Sequence, residues 1–292
     1  MFIYQNGNGI GPMFAMGFKE FIKSSFKNGS VVTKLIYINI AVYLATKVGL
    51  IPAYFMSVTK VEYFSFLNSI LDLPGSIEAY KLAPWSAVTY MFVHYGVLHL
   101  LFNMILLFWC GRALKRELSD GAVLALYIAG GLVGAAAYVF VAPKFGTTTH
   151  LAGASAAVMA ILSAYCVWGW REQVQILLLG TVKVLYVLLF IVGFELLQLF
   201  NPIGGGSAVV HLGGAIVGVL VGVALIFFKP SPKTDESEFH WEGGYAKTEE
   251  STGQEKRVSE DRINEILDKV SERGYDSLTP QEKSILFKSG QR

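Results

Sequence analysis

One serine and two histidines are the residues of this chain best suited to chemistry. Ser155 stands in the run Gly153-Ala154-Ser155-Ala156, which opens an apolar stretch at 152–170. A serine hydroxyl is a poor nucleophile until a neighbouring base accepts its proton, and neutral imidazole is suited to that near pH 7. His211 is the candidate base, so this pair would attack a carbonyl carbon if the fold brings the two side chains together.

The tetrahedral intermediate of such an attack needs hydrogen-bond donors for its oxyanion. His99 and Asn103 are four residues apart, so on a helix they share a face. Together with the backbone N–H of Ser155 at a helix start, they are the candidate donors.

The small residues around Ser155 also have a purely structural interpretation. Taken alone, they favour helix–helix packing, because Gly, Ala and Ser let membrane helices approach closely. Rows of small residues recur every four positions on this stretch and on the one that holds His211, so two faces are able to touch. The rows are Ala152, Ala156, Ala160 and Ala164, and Gly214, Gly218 and Gly222.

The composition indicates a membrane protein. Hydrophobic residues make up 53% and charged residues 16% of the 292 positions, against about 45–50% and 25% in soluble domains. Apolar runs near twenty residues recur, and in lipid such runs form helices. We therefore expect an all-α polytopic membrane protein. Lys and Arg outnumber Asp and Glu by 13 to 8 as far as Phe228 and are outnumbered 14 to 11 beyond it, which predicts a membrane body followed by a slightly acidic tail.

The chain divides into four predicted segments. Residues 1–33 form an interfacial amphipathic helix or a disordered leader, 34–228 a six-span membrane domain, 229–257 a linker and 258–292 a small helical cytoplasmic tail. The loop at 51–95 is too apolar to be freely solvated and is expected to lie in the membrane interface. The six spans are predicted at about 35–50, 96–112, 122–141, 152–170, 174–200 and 208–228.

Basic residues fix the expected orientation. They cluster before the first span and after the second, fourth and sixth, so the positive-inside rule puts both termini in the cytoplasm. The second, fourth and sixth spans then run inwards from the outer face. Ser155, His211, His99 and Asn103 would all lie at similar depth, a few residues below the outer surface.

These motifs together resemble the rhomboid family of intramembrane serine proteases. The resemblance rests on His94-x4-His99-x3-Asn103, on Gly153-x-Ser155 and on His211-x2-Gly214, in that order on alternate spans. It implies a six-helix bundle in which Ser155 is the nucleophile, His211 the general base, and His99 and Asn103 stabilise the oxyanion. His94, just before the second span, matches the family's structural histidine.

The resemblance also implies an activity and a setting. Rhomboids cut other membrane proteins within or beside a transmembrane helix, use no metal or cofactor, and work with a Ser–His dyad that lacks a third acid. No acidic residue follows the His211 turn closely enough to suggest an orienting group. The expected partners are transmembrane protein substrates and membrane lipids rather than nucleic acid, and the expected location is the inner (cell) membrane of a bacterium.

The chain departs from the family pattern in three places. Many bacterial members have Tyr four residues after the nucleophile, where this chain has Met159, and Gly directly after it, where this chain has Ala156. A thioether can still pack against an imidazole, so weaker positioning of the base is expected. The Trp-Arg pair of the first outer loop is not evident, and Pro84-Trp85 takes part of its anchoring role.

The remaining candidates have simpler explanations. His150 could compete as the base, but a surface-loop histidine is favoured. Glu195 in the fifth span is costly unless it meets water or a partner, and either gating of substrate entry or a bond to a loop would account for it. Cys110 and Cys166 fall towards the cytoplasmic side, so free thiols are expected.

The tail is predicted to be a helical hairpin with no catalytic role. One helix has an apolar face, and Thr279-Pro280-Gln281-Glu282 offers a capping box for a second. The hairpin would dock on the body or bind an unidentified cytoplasmic partner. The apolar face consists of Ile263, Ile266, Leu267 and Val270.

Two other functions compete with proteolysis. A rhomboid-like adaptor or chaperone would bind membrane helices without cleaving them, although such relatives usually lack the serine or the histidine. A small-molecule transporter is disfavoured because no inverted repeat or charged pathway is evident.

Overall fold

The structure, a computed structural model, describes residues 17–141, 143, 150–176, 180–201, 205–228, 260–273, 277–279 and 282. The first sixteen residues, the predicted linker, and residues 142, 144–149 and 202–204 between predicted spans lie outside the described residues. The chain forms two compact units, Met1–Trp241 and Glu242–Arg292.

The first unit is mostly helical. Its helices, apart from a single 3₁₀ turn at Tyr90–Phe92, are α1 (Phe18–Asn28), α2 (Val31–Val48), α3 (Leu50–Phe55), α4 (Lys60–Leu71), α5 (Ile77–Leu82), α6 (Ser86–Thr89), α7 (Val97–Leu114), α8 (Asp120–Val141), α9 (Ser155–Trp168), α10 (Val184–Gln198) and α11 (Gly205–Phe228). The predicted interfacial loop at 51–95 is therefore folded largely into short helices.

Four helical stretches in the described part of the chain are long and apolar enough to cross a membrane. They are Val31–Phe55, Val97–Leu114, Asp120–Val141 and Gly205–Phe228. The predicted fourth and fifth spans are also apolar helices, but α9 and α10 have only 14 and 15 residues. These helices indicate that the chain is an integral membrane protein. The count of six spans stays a prediction.

A two-stranded antiparallel hairpin corrects the all-α expectation and the predicted start of the fifth span. Strand β1 (Gln173–Ile176) pairs with β2 (Gly180–Lys183) from Gln173 opposite Lys183 to Ile176 opposite Gly180. Polar and apolar residues alternate along β1, which suits a strand with one face in water. Helix α10 begins only at Val184, and the described residues before it, 173–176 and 180–183, are strands rather than the predicted start of the fifth span.

Helix α9 is the centre of the bundle. Eleven of its fourteen residues are buried, and α7, α8 and α11 all pack against it. Small residues allow this crowding. On the α8 side, a Cβ at Gly134 would come within 2.6 Å of the Ala156 Cβ, and one at Gly130 would collide with the Ala160 Cβ.

Helices α9 and α11 meet backbone to backbone. A Cβ at Gly214 would collide with the carbonyl oxygen of Ala156, and one at Gly218 with that of Ala160. At Gly222 a Cβ would lie 2.7 Å from the Val167 Cβ and 2.8 Å from the Ala164 oxygen. The two predicted small-residue rows therefore form one interface in a constant register.

The second unit contains α12 (Glu260–Arg273), in which Ile266 is buried. The predicted capping box is present: the Thr279 backbone N–H donates to Glu282 Oε2 over 2.8 Å, and the Glu282 N–H donates to Thr279 Oγ1 over 3.3 Å. The Thr279 backbone bond, with Lys269 Nζ 2.9 Å away, lowers the pKa of Glu282 to about 2. That the tail docks on the membrane body or binds a cytoplasmic partner stays a prediction.

Enlarging Gly218 is expected to force α9 and α11 apart. Gly218→Leu would place a branched side chain against the Ala160 backbone, so the free energy of unfolding in mixed SDS–detergent micelles should fall by about 3 kcal/mol or more. Gly193→Leu on α10 is the matched control, because a Cβ there meets nothing within 4 Å. Its unfolding free energy should change by only about 0.5 kcal/mol. Equal losses in the two variants would contradict the interface.

Candidate active site

The structure brings the predicted nucleophile and base together. Ser155 Oγ lies 2.8 Å from His211 Nε2, a hydrogen-bonding distance between residues 56 positions apart. Ser155 is the first residue of α9, and His211 stands in the second turn of α11, which begins three residues earlier than predicted. Both side chains are partly buried, so the pair is sheltered and still reachable by small molecules.

The chain that leads into Ser155 is fixed from three sides. Leu151 exchanges two backbone hydrogen bonds of 2.9 Å with Leu73, and the Gly153 N–H donates to the Tyr90 carbonyl over 2.9 Å. The Ala154 N–H donates to His94 Nε2 over 3.3 Å. The serine is therefore held on a rigid turn rather than on a free loop.

Glycine is required at position 153 for two reasons. Its φ of +141° is a conformation that favours glycine. A Cβ there would also lie 2.6 Å from His99 Cε1, 3.0 Å from His99 Nε2 and 3.7 Å from Ser155 Oγ. The imidazole of His99 and the hydroxyl of Ser155 thus border the same small space beside Gly153.

Asn103 has partners that the sequence did not indicate. Its Nδ2 donates to the His99 carbonyl over 2.9 Å and lies 3.4 Å from His94 Nε2. The amide therefore contacts the main chain of His99 and the ring of His94. To donate a hydrogen bond to an oxyanion, the Asn103 amide would have to break its contact with the His94 ring.

His94 is a buried, neutral histidine that supports the site. Its side chain is fully shielded from solvent, and its ring meets the His99 ring edge-on at 5.0 Å between centroids. Burial, with the neighbouring His99 ring as a second cause, lowers the pKa of His94 to about 4. Because Nε2 accepts the Ala154 N–H, the ring proton belongs on Nδ1.

The other predicted residues near the site have packing roles. Met159 is buried in the core, and Gly214 provides the close contact with Ala156 described above. His150 is exposed, as favoured for a loop residue. Cys110 and Cys166 are free and buried, as expected.

No acid follows His211 closely in the sequence, but an acid from earlier in the chain meets its ring, and the expectation that Glu195 bonds to a loop is wrong. Glu195 Oε1 is 2.8 Å from His211 Nδ1, on the side of the ring opposite Ser155. Sequence reasoning missed this contact because it looked for an acid after the histidine, whereas Glu195 precedes it by sixteen positions on another helix. The available signal was the cost of a lone carboxylate in the apolar sequence of α10, which called for a partner.

Comparison with known proteins identifies the family. The Rhomboid domain family matches residues 81–228, about half of the chain. The chain belongs to the rhomboid family. Rhomboid protease GlpG from Salmonella paratyphi A and the same-named protein from Salmonella choleraesuis are each 27% identical to it over 148 residues, 50% of this chain and 49% of theirs.

The match covers part of this rhomboid and part of its relatives. The chain spans about half the length of the curated relatives it matches. All the site residues from His94 to His211 fall inside the matched region, whereas α1 to α4 precede it. In the tail, residues 247–288 match a family of unknown function (DUF6576).

The neutral His94 predicts a pH dependence of stability. Its pKa in the folded state, about 4, is below the ordinary 6.5, so between these values the unfolded chain binds more protons. The stabilisation is complete above about pH 6.5 and is lost as the pH falls towards 4, amounting to about 3 kcal/mol.

The variant His94→Gln tests this dependence by thermal unfolding in detergent. Glutamine does not titrate, so the decline between pH 6.5 and pH 4 should be shallower than in the wild type by that amount. His150→Gln, at an exposed histidine, should retain the wild-type slope. An unchanged slope in His94→Gln would refute the assignment.

Proposed function

We propose that this rhomboid is an intramembrane serine endopeptidase that cleaves transmembrane protein substrates near the outer membrane face. The observation that carries the proposal is the 2.8 Å approach of Ser155 Oγ to His211 Nε2. A serine paired with a histidine and placed at a helix start has the geometry that acyl transfer requires.

The reaction would proceed through an acyl-enzyme. Ser155 Oγ attacks the substrate carbonyl carbon while His211 Nε2 accepts the hydroxyl proton. The tetrahedral intermediate collapses as the imidazolium donates that proton to the leaving amine nitrogen, and the peptide bond breaks. Water then attacks the ester carbonyl, gives a proton to His211 and releases the acid, and the proton returns to Ser155.

The oxyanion would occupy the space beside Gly153. The backbone N–H of Ser155, in the first turn of α9, has no intrahelical acceptor and is one donor. His99 borders the same space and is the second. Asn103 is the third, after its contact with His94 is released.

The length of α9 supports a site within the membrane thickness. Fourteen residues of α-helix are about 21 Å long, less than a hydrocarbon core of about 30 Å. A buried helix that begins below one surface leaves room for a water-filled recess above its first residue. In the proposed topology six helices span the membrane, both termini are cytoplasmic and this recess opens outwards.

The proposed substrates follow from this placement. A peptide bond inside a transmembrane helix is shielded by its helical hydrogen bonds, so a substrate must unwind locally before Ser155 can reach its carbonyl. Residues that destabilise helices near the cleavage site should therefore favour cleavage.

A fluorophosphonate probe tests the nucleophile directly. Wild-type protein in detergent should be labelled covalently, and Ser155→Ala and His211→Ala should not, because the first lacks the nucleophile and the second its base. Ser163→Ala is the matched control. It makes the same change on the same helix, at a buried hydroxyl that has no hydrogen-bond partner among the described residues, and should label like the wild type. Folded wild-type protein that resists labelling would favour a helix-binding adaptor without activity.

Removing His99 tests the oxyanion donor. His99→Ala should lower kcat for a transmembrane substrate by about 100-fold and leave KM nearly unchanged, because the donor acts on charge that develops only in the transition state. Cleavage rates over a range of substrate fractions in proteoliposomes give both constants. A rise in KM at constant kcat would instead assign His99 to substrate binding.

A further inference from the structure

Glu195 is the acidic residue of α10, and its carboxylate faces His211. Oε1 lies 2.8 Å from His211 Nδ1, and the two side chains are only 13% and 22% exposed. On other sides of the same helix, Phe194 and Leu197 are exposed. The one carboxylate of α10 is thus turned into the bundle, where it is costly without a partner.

The imidazole is bonded at both nitrogens. Nε2 meets Ser155 Oγ at 2.8 Å, so it must be unprotonated to accept the hydroxyl proton. The ring proton then sits on Nδ1 and is donated to the Glu195 carboxylate. The groups that face His211 are Ser155 from α9, Glu195 from α10 and, within electrostatic reach, His99 from α7.

We propose that Glu195 is a positioning residue that completes a Ser155–His211–Glu195 triad, in place of the unaided dyad that the resemblance implied. The inference rests on the proposed function. The carboxylate selects the tautomer in which Nε2 is free to act as base, holds the ring plane towards Ser155, and stabilises the imidazolium that forms when Nε2 takes the proton. It keeps its own charge throughout and transfers no proton.

Amide and carboxylate replacements separate these effects. In Glu195→Gln the amide can donate to Nδ1 and so stabilise the wrong tautomer. The side chains of Glu195 and His211 both retain some solvent exposure. Fluorophosphonate labelling should therefore slow by about 10²- to 10³-fold, which is less than the ~10⁴-fold loss of rate when a fully buried triad carboxylate is replaced by an amide. Glu195→Asp keeps the charge on a shorter arm and should recover at least about tenfold of that loss.

Glu172→Gln is the matched control. Glu172 is also a partly buried carboxylate, 15% exposed, and is bonded to Arg116 and Tyr165. The Glu172→Gln variant should be less stable than the wild type but should be labelled at the same rate. The small probe also separates positioning from substrate entry, because it does not require a transmembrane helix to enter. A Glu195→Gln variant that labels at the wild-type rate and fails only on transmembrane substrates would overturn the triad.

The pH profile of labelling is the readout that a merely structural role would not move. Loss of the negative charge beside the ring favours neutral imidazole, so the acid limb of the rate profile should shift to lower pH in Glu195→Gln and stay in place in Glu172→Gln. An acid limb that does not move would contradict the role of Glu195.

Nitrogen NMR of His211 separates failure of this inference from failure of the proposed hydrolysis. In wild-type protein near neutral pH, the proton should be on Nδ1, with a strongly downfield proton signal that disappears in Glu195→Gln. Labelled wild type with the proton on Nε2 would overturn only the role of Glu195. Unlabelled wild type with the proton on Nδ1 would overturn the proposed hydrolysis, and the triad with it.

Discussion

The site depends on the close approach of two helix backbones, α9 and α11. Glycines at 214, 218 and 222 leave no side chain between α11 and the carbonyl oxygens of α9. One β-carbon at any of these positions would push α11 away, and a separation of even 1 Å would matter for the proton transfer proposed between Ser155 and His211. The bond between the two residues therefore follows from packing of small residues along the length of both helices.

Three polar contacts hold residues around Ser155 and His211. His94 accepts from the backbone of Ala154, Asn103 donates to the His99 carbonyl, and Glu195 meets His211. In an apolar setting each group would be costly alone, because an unpaired polar atom forfeits its hydration. The same requirement that makes these residues costly to bury also fixes their geometry, so the candidate catalytic groups are held in place by their hydrogen bonds.

The two shorter apolar helices, α9 and α10, both carry residues of the site. Helix α9 begins at Ser155 and is almost wholly enclosed by its neighbours, whereas α10 carries Glu195 and presents large apolar side chains outwards. The proposed hydrolysis also requires that water reach the first turn of α9. Between α9 and α10, strands β1 and β2 stand where the fifth span was predicted to begin, so α10 is shorter than predicted.

The sequence by itself determined the membrane class, the main apolar helices, the nucleophile and base candidates and the rows of small residues that join α9 to α11. These follow from periodicity and side-chain chemistry, which are local properties. Only the tertiary structure decided that Glu195 faces His211, that Asn103 contacts the His94 ring, and that Gln173–Ile176 pairs with Gly180–Lys183. The first fact depends on the rotation and tilt of separate helices about each other, and the other two depend on segments that lie outside the helices. Spacing along one helix defines which residues share a face, but it does not define which face of another helix lies opposite.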